Sequence, residues 1–216
     1  MILQHVLTAD LFTSIFDEPQ FHRENNIAKE LETVVATFLS GDTRRQLMGS
    51  IRHYYEAIKA AAARINDHRE KQNFLKVVYE AFYKSYNPKA ADTLGVVYTP
   101  SEVVDFMIQT TDALLDKHFH KLLHDPDVHI LDPATGTGTF VCDLLNYLPL
   151  ERLEYKYKNK LFANELAILP YYIANLNIEF TYRQRTQQYT EFPNLCFMDT
   201  LDNYSFGTED QGVQGV

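Results

Sequence analysis

The sequence predicts an α/β fold, a partial Rossmann-like sheet preceded by an α-helical bundle. Two observations carry this prediction. Apolar residues recur with helical spacing through roughly the first 90 residues, whereas short apolar runs alternate with helical segments after that point. The order strand, helix, strand, helix, strand is typical of one half of a doubly wound α/β domain.

The N-terminal part carries three sets of apolar residues with the i, i+3, i+4 spacing of an amphipathic helix. The sets are Ile27, Leu31, Val34, Val35 and Phe38; Ile51, Tyr54, Tyr55, Ile58 and Ala62; and Phe74, Val77, Val78, Ala81 and Phe82. A turn is predicted at Ser40-Gly41-Asp42, before the second helix, and Asn87-Pro88 should stop the third. The histidines of this part lack metal-ligand spacing, so no metal site is predicted.

The pattern changes near residue 90. Thr99 as N-cap, Pro100 at the first helical position and Glu102 three residues after the cap predict the start of a helix. Strands are predicted over 128–131, 160–163 and 195–198, and helices over 139–148 and 167–180. The predicted organisation is a helical domain over 1–90, an α/β domain over 91–206 and a frayed, Gly- and Gln-rich tail over 207–216.

Bulk features favour a cytoplasmic protein. No apolar run approaches the ~20 residues that a membrane-spanning helix needs, and the start lacks a signal-peptide pattern. Cys142 and Cys196 are far apart, and each falls in an apolar run, so both are interpreted as small packed hydrophobes.

Charge is distributed unevenly along the chain. Residues 1–90 carry 12 basic against 11 acidic side chains, whereas residues 91–216 carry 8 against 18. A surface that grips a phosphate backbone should be basic, so if the protein handles DNA, most of the contacts are expected outside this chain or in a local patch. One candidate patch combines Arg152, Lys156, Lys158 and Lys160 with Tyr155 and Tyr157, although a solvated helix end or loop explains it equally well.

Acidic residues follow each of the three predicted strands. Asp132 opens the loop Asp132-Pro133-Ala134-Thr135-Gly136-Thr137-Gly138-Thr139-Phe140, whose glycines let backbone approach a ligand at the start of the next helix. Glu165 ends the second strand, where a carboxylate can accept from both hydroxyls of a ribose. Asp199 ends the third, where it can accept from an adenine amino group. Ligands of open α/β sheets bind at these strand ends.

The loop favours a cationic nucleoside ligand over a dinucleotide or a nucleoside triphosphate. A dinucleotide site needs a third glycine, yet Gly136 and Gly138 are followed by Val141 at that position. The Gly-Lys-Ser/Thr of a P-loop is absent. A loop that begins with Asp132 would repel a pyrophosphate but attract the sulfonium and amino groups of S-adenosylmethionine.

These segments resemble the cofactor motifs of adenine-specific (N6) DNA methyltransferases with the gamma-type motif order. The loop from Asp132 resembles the first motif, Asn164-Glu165 the second and Asp199-Thr200 the third, while Val97-Tyr98-Thr99-Pro100 resembles the segment that folds over the cofactor in that subgroup. The resemblance implies S-adenosylmethionine contacts at Tyr98, Thr99, Pro100, Asp132, Pro133, Ala134, Gly136, Thr137, Gly138, Thr139, Phe140, Glu165, Leu166, Asp199 and Thr200.

Residues upstream of the cofactor motifs extend the resemblance. Lys71-Gln72-Asn73-Phe74-Leu75 and Val78-Tyr79 make the chain similar to type ISP restriction-modification enzymes, which join a nuclease, a helicase-like motor, a helical coupler, a methyltransferase and a target-recognition domain. The resemblance therefore implies that double-stranded DNA is the partner of the intact protein, bound mostly through regions outside this chain, with nuclease or helicase-like domains upstream.

One departure concerns catalysis. The family's catalytic motif is Asn/Asp/Ser-Pro-Pro-aromatic, which holds the target amine and stacks on the flipped base. No two prolines are adjacent anywhere in this sequence. The resemblance thus implies adenine methylation by the intact protein and no catalytic residue, and no activity, in this chain.

Two other functions stay open. The chain could belong to an S-adenosylmethionine-dependent methyltransferase that acts on RNA, protein or a small molecule, which a downstream sequence without the catalytic motif would favour. It could also be a non-catalytic structural or coupling module, which failure to bind cofactor would favour. The resemblance also implies that the last strands of the methyltransferase sheet are missing from this sequence, which would leave an exposed strand edge prone to association.

Overall fold

The computed structural model describes residues 24–38, 41–65 and 99–202, together with six isolated helical positions between 70 and 81. The chain divides into two compact units. The first contains the described residues up to Pro100 together with Tyr182–Glu191, and the second contains Ser101–Thr181 and the described residues from Phe192 onwards. The predicted domain boundary at residue 90, the stop at Asn87-Pro88, Tyr98 and the 207–216 tail lie outside the described residues.

The first unit contains the helices α1 (Asn26–Phe38) and α2 (Gly41–Ala62). The Asn25 side chain caps α1 by accepting a hydrogen bond from the Ala28 amide at 2.8 Å. The predicted helices over 27–38 and 51–62 are confirmed, and residues 74, 77, 78 and 81 of the third are helical as well. The turn predicted at Ser40-Gly41-Asp42 is wrong in its second half, because Gly41 and Asp42 already belong to α2. Asp42 suits the first turn of a helix, because its negative charge interacts favourably with the positive end of the helix dipole.

The second unit mixes helices with a small parallel sheet. Its elements are α3 (Ser101–Phe119), β1 (Ile130–Asp132), α4 (Thr139–Tyr147), α5 (Leu150–Asn159), β2 (Leu161–Glu165), α6 (Ile168–Thr186, whose last residues belong to the first unit) and β3 (Leu195–Phe197). The helix predicted from Pro100 begins one residue later, at Ser101.

The three strands pair in the order β1-β2-β3, all parallel. Asp132 lies opposite Ala163 in one ladder, and Glu165 lies opposite Phe197 in the other. Because parallel strands end at the same edge of a sheet, the loops after all three strands emerge together. Core side chains of β2, such as Leu161 and Ala163, are fully buried.

Two helices, rather than the one predicted, connect β1 to β2. Leu148 and Pro149 are extended, with ψ values of 142° and 139°, and they separate α4 from α5. Leu153, Lys156 and Tyr157 form the buried face of α5. Two of the six side chains of the candidate basic patch are therefore inside the protein, so the patch is not a continuous surface.

Asp112 joins α3 to α4. Its Oδ2 accepts a hydrogen bond from the Tyr147 hydroxyl at 2.6 Å, and its Oδ1 accepts one from the Leu123 amide at 2.7 Å. The hydrogen bond with Asp112 is the main reason that the pKa of Tyr147 rises to about 12. The tie fixes α3 beside α4.

The two cysteines differ in their surroundings. Cys142 is buried on α4, as expected, but Cys196 is exposed. Successive side chains of a strand point to opposite faces, so burial of Leu195 turns Cys196 outwards. Within the described residues, no helix is both long and apolar enough to cross a membrane.

Candidate functional site

The site is built where the three strands end. Asp132 is the last residue of β1, Glu165 is the last residue of β2, and Asp199 follows β3 by two positions. The Thr135 amide donates to the Asn164 carbonyl at 2.9 Å, and the Met198 amide donates to the Glu165 carbonyl at 3.1 Å. The end of β2 thus holds the loops that follow β1 and β3, and the predicted residues of all three strand ends come together.

The loop over 133–138 (the glycine loop) depends on two left-handed residues. Gly136 has φ +59° and Gly138 has φ +89°. A Cβ atom on Gly138 would lie 3.2 Å from Cγ1 of Ile178 and 3.3 Å from Cα of Ala174. Glycine is therefore required at 138 both for its conformation and for the close approach of α6.

Asn177 is a site residue that sequence reasoning missed. It is fully buried on α6, and its Nδ2 donates to the Thr137 carbonyl in the glycine loop at 2.9 Å. Its Oδ1 is buried without a hydrogen-bond partner among the described residues. No local sequence signal marks this residue, because the tie joins positions 40 residues apart.

The Glu165 carboxylate bridges two backbone segments. Its Oε2 accepts a hydrogen bond from the Gly136 amide at 2.7 Å, and its Oε1 accepts one from the Ala167 amide at 2.6 Å. Burial raises the pKa of Glu165, and these amide hydrogen bonds partly offset the rise. The carboxylate is thus desolvated yet held in place by the backbone.

Asp132 is less well satisfied than Glu165. Its Oδ1 accepts a long hydrogen bond from the Ala134 amide at 3.3 Å, whereas its Oδ2 is buried and has no hydrogen-bond partner among the described residues. Burial raises the pKa of Asp132, and the charge of Glu165 raises it further. Two neighbouring, desolvated acids favour a positively charged ligand, which would stabilise their ionised forms.

The end of β3 is tied to the glycine loop through Thr200. The Thr200 hydroxyl donates to the Pro133 carbonyl at 2.7 Å and accepts from the Asn164 side chain at 3.2 Å. Asp199 accepts a hydrogen bond from the Leu201 amide at 2.9 Å. In this structure Thr200 contacts the loop itself, so it can position the site as well as contact a ligand.

The other predicted residues take varied positions. Thr139 is buried at the start of α4, Phe140 is half-buried beside it, and Leu166 is exposed after β2. Thr99 and Pro100 directly precede α3, and their cofactor contacts stay a prediction, as do those of Tyr98. Within the part of the chain that the structure describes, no three His, Cys, Asp or Glu side chains are grouped to hold a metal ion.

Two family models match the chain. Residues 70–207 match N-6 DNA Methylase, and residues 1–70 match the coupler domain of Type ISP restriction-modification enzymes. Among curated proteins, none matches this chain.

Similar solved structures include three DNA complexes. One, a cryoEM structure of a DrdV–DNA complex, has 57% sequence identity and a TM-score of 0.86 over 96% of this chain. A nuclease-deletion mutant of the Type ISP enzyme LlaGI with a DNA substrate mimic has 33% identity and a TM-score of 0.74 over 98%. The ATP-dependent Type ISP enzyme LlaBIII bound to DNA has 33% identity and a TM-score of 0.72 over 98%. The matched regions make up 20%, 17% and 14% of those chains, so this chain spans a fifth or less of their length.

Proposed function

The chain belongs to the N-6 DNA methylase family, and on that premise we propose that it forms the S-adenosylmethionine site of a DNA methyltransferase that modifies adenine amino groups. The match to a Type ISP coupler domain over residues 1–70 supports a place within a restriction-modification enzyme. The two units are proposed to be a helical coupler and one half of a Rossmann-like methyltransferase sheet.

The observation that carries the proposal is the meeting of Asp132, Glu165 and Asp199 at one sheet edge, around a glycine loop. Oδ2 of Asp132 has no hydrogen-bond partner among the described residues, and burial raises the pKa values of Asp132 and Glu165, so the carboxyl groups of this site are desolvated. S-adenosylmethionine carries both a sulfonium and an ammonium group, and opposite charge stabilises buried carboxylates. A phosphate-bearing ligand would be repelled by the same groups.

Each residue has a proposed role. The glycine loop and Asp132 would hold the methionine part, Glu165 the ribose hydroxyls, Leu166 the adenine face and Asp199 the adenine amino group. Tyr98-Thr99-Pro100 would cover the cofactor. When bound, the cofactor supplies an electrophilic methyl group, and this chain's residues bind and orient it.

We further propose that the methyl-accepting base is bound elsewhere in a longer polypeptide. The chain contains no Pro-Pro pair, and its residues from 91 onwards carry 8 basic against 18 acidic side chains. Both features disfavour base flipping and DNA gripping by this chain alone. Double-stranded DNA and upstream nuclease and helicase-like domains would be partners of the complete enzyme.

Calorimetric titration with S-adenosylmethionine tests the cofactor site. We expect the wild-type chain to bind, and Asp132→Asn to weaken binding by at least about tenfold, because the variant lacks the charge that faces the cation. Asp116→Asn, which removes an exposed acid from α3, is the matched control and should bind like wild type. A folded wild-type chain that gives no binding heat would contradict the proposed function.

A methyl-transfer assay tests which substrate is methylated and whether catalysis requires regions outside this chain. With radiolabelled cofactor, the 216-residue chain should transfer no methyl group to DNA, whereas the complete enzyme should label adenine. Labelling of RNA or protein in place of DNA would overturn the substrate proposal. Transfer to DNA by the 216-residue chain would overturn the assignment of catalysis to other regions.

A further inference from the structure

We propose that Glu165 is a positioning residue for the glycine loop as well as an acceptor for ribose, so that one carboxylate couples the loop conformation to nucleoside recognition. The ribose part of this inference rests on the proposed function. The loop part stands on the geometry of the chain itself and can be tested without a ligand.

Glu165 is a firmly held anchor. It ends β2 in register with Phe197, and its carbonyl accepts a hydrogen bond from the Met198 amide at 3.1 Å. Its Oε1 accepts a hydrogen bond from the Ala167 amide, two residues further along the chain. The backbone of Glu165 and its Oε1 are therefore restrained by hydrogen bonds. The second carboxylate oxygen, Oε2, can hold a segment that is less restrained by its own backbone.

That partner is the centre of the glycine loop. Oε2 reaches the Gly136 amide, which is 29 residues away in sequence, at 2.7 Å. Gly136 is in the left-handed region, at φ +59°, where the backbone has no side chain to restrain it. Thr200 and Asn177 tie the loop at Pro133 and Thr137, on either side of this bond. The Glu165 bond therefore fixes the segment between two other ties.

The same carboxylate can still accept from a ribose. Each carboxylate oxygen has two lone-pair directions, so Glu165 has four acceptor positions, and the amides of Gly136, Ala167 and Leu166 leave at least one of them for a ribose hydroxyl. Glutamine cannot reproduce this arrangement, because its amide nitrogen would face either Gly136 or Ala167 with a donor. Glu165→Gln therefore removes one backbone tie together with the charge.

Amide NMR of the ligand-free chain tests the loop role directly. An acid titration from about pH 8 to pH 4 spans the ionisation of a glutamate with a raised pKa. We expect the amide protons of Gly136 and Ala167 to shift along one common curve, because both donate to the same carboxylate. Asp132 is the other acid facing Glu165, so the titration is repeated in Asp132→Asn, where the common curve should persist.

Two variants complete the test. Glu165→Gln should abolish the common curve, whereas Glu151→Gln, at an exposed glutamate of α5, should retain it. Unrelated titration of Gly136 and Ala167 in the wild type, or an unchanged curve in Glu165→Gln, would overturn the loop role. The wild-type titration needs no variant and decides the question even if the substitution prevents folding.

Ligand binding separates loop positioning from ribose contact. The probes are S-adenosylhomocysteine and its 2′,3′-dideoxy analogue, which has no ribose hydroxyls. If Glu165 positions the loop, Glu165→Gln weakens binding of both probes, each by about tenfold or more. Weakening of the hydroxyl-bearing probe alone would overturn the coupling. Failure of the wild type to bind either probe would count against the proposed function, while the amide titration would still decide the loop role.

Discussion

At the scale of single residues, Asp132 carries the electrostatic character of the site. Buried polar atoms in proteins are nearly always hydrogen-bonded, because an unpaired one loses its solvation without replacement. Oδ2 of Asp132 departs from this rule among the described residues. Such departures are tolerated at functional sites, where a ligand supplies the missing donor.

Cofactor binding should therefore strengthen as pH rises. Burial raises the pKa values of both Asp132 and Glu165, so each group stays protonated to a higher pH than an exposed carboxyl group does. A cation binds their ionised forms more tightly. Dissociation constants for S-adenosylmethionine, measured from about pH 4.5 to pH 7.5, should fall with pH in the wild type and fall less steeply in Asp132→Asn. Equal slopes in the two proteins would contradict this electrostatic role.

The sequence was enough to predict some of these residues but not others. Asp132 and Glu165 stand at the ends of short apolar runs, and such a run can be recognised locally, as can the glycine loop after the first of them. Asn177 and the hydroxyl bond of Thr200 to Pro133 depend on contacts across 40 and 67 residues. Contacts between residues so far apart produce no repeating pattern in the sequence, so only the folded structure reveals them.

At the scale of elements, the glycine loop is shaped by the close approach of α6 to Gly138 at the start of α4. Gly138 caps α4 in the left-handed conformation, and α6 presents Ala174 and Ile178 directly against it. Glycine at position 138 is therefore required by the packing of α6, independently of any ligand.

Substitution of the two loop glycines should have unequal effects on stability. Gly136→Ala has nothing within 4 Å of the new Cβ, so it should cost about 1 kcal/mol for the left-handed backbone alone. Gly138→Ala adds a clash with the backbone of Ala174, and we expect a cost of about 2 to 4 kcal/mol. Urea unfolding of both variants measures the difference. Equal losses would mean that α6 does not constrain the loop.

The helix α5 contacts the segment that precedes β1 through a buried lysine. Lys156 is fully buried, and its Nζ donates to the Val128 carbonyl at 2.6 Å. Burial lowers the pKa of Lys156 to about 8, against a small rise from the charge of Asp125. Below about pH 8 the Lys156 amine is therefore charged in the folded chain, and its burial lowers the stability of the fold.

Stability should rise with pH through this lysine. Between pH 8 and 10.5 the folded chain loses the Lys156 proton before the unfolded chain does, so the cost of the buried charge is relieved as pH increases. The free energy of unfolding of the wild type, relative to Lys156→Met, should therefore increase from about pH 7 to pH 9.5. Lys158→Met, on the exposed side of α5, is the control and should show no such change. A pH-independent difference would contradict the lowered pKa.

Elements could be predicted where a single pattern dominates. The strands were predicted to begin within two residues of their observed starts, because each is a short apolar run with turns around it. The helix α5 was missed because its segment, Leu-Glu-Arg-Leu-Glu-Tyr-Lys-Tyr-Lys-Asn, is mostly polar. Its buried face includes Lys156, and a lysine in the core cannot be recognised from its residue type.

At the scale of the whole molecule, acidic and basic side chains are distributed unevenly along the chain. The residues from 91 onwards carry 8 basic against 18 acidic side chains, a balance that suits a cationic ligand better than a phosphate backbone. The DNA complexes of DrdV, LlaGI and LlaBIII contain chains at least five times as long as the matched region. We therefore expect DNA affinity to reside in other regions of a complete enzyme.

We propose that the three strand ends of the second unit together form one S-adenosylmethionine site. Mapping amide NMR shift changes on addition of S-adenosylmethionine to the 216-residue chain tests this claim most directly. We expect the largest changes in residues 132–139, 165–167 and 199–200, and we expect them to saturate with a single dissociation constant. Changes concentrated away from these strand ends, or none in the folded chain, would contradict it.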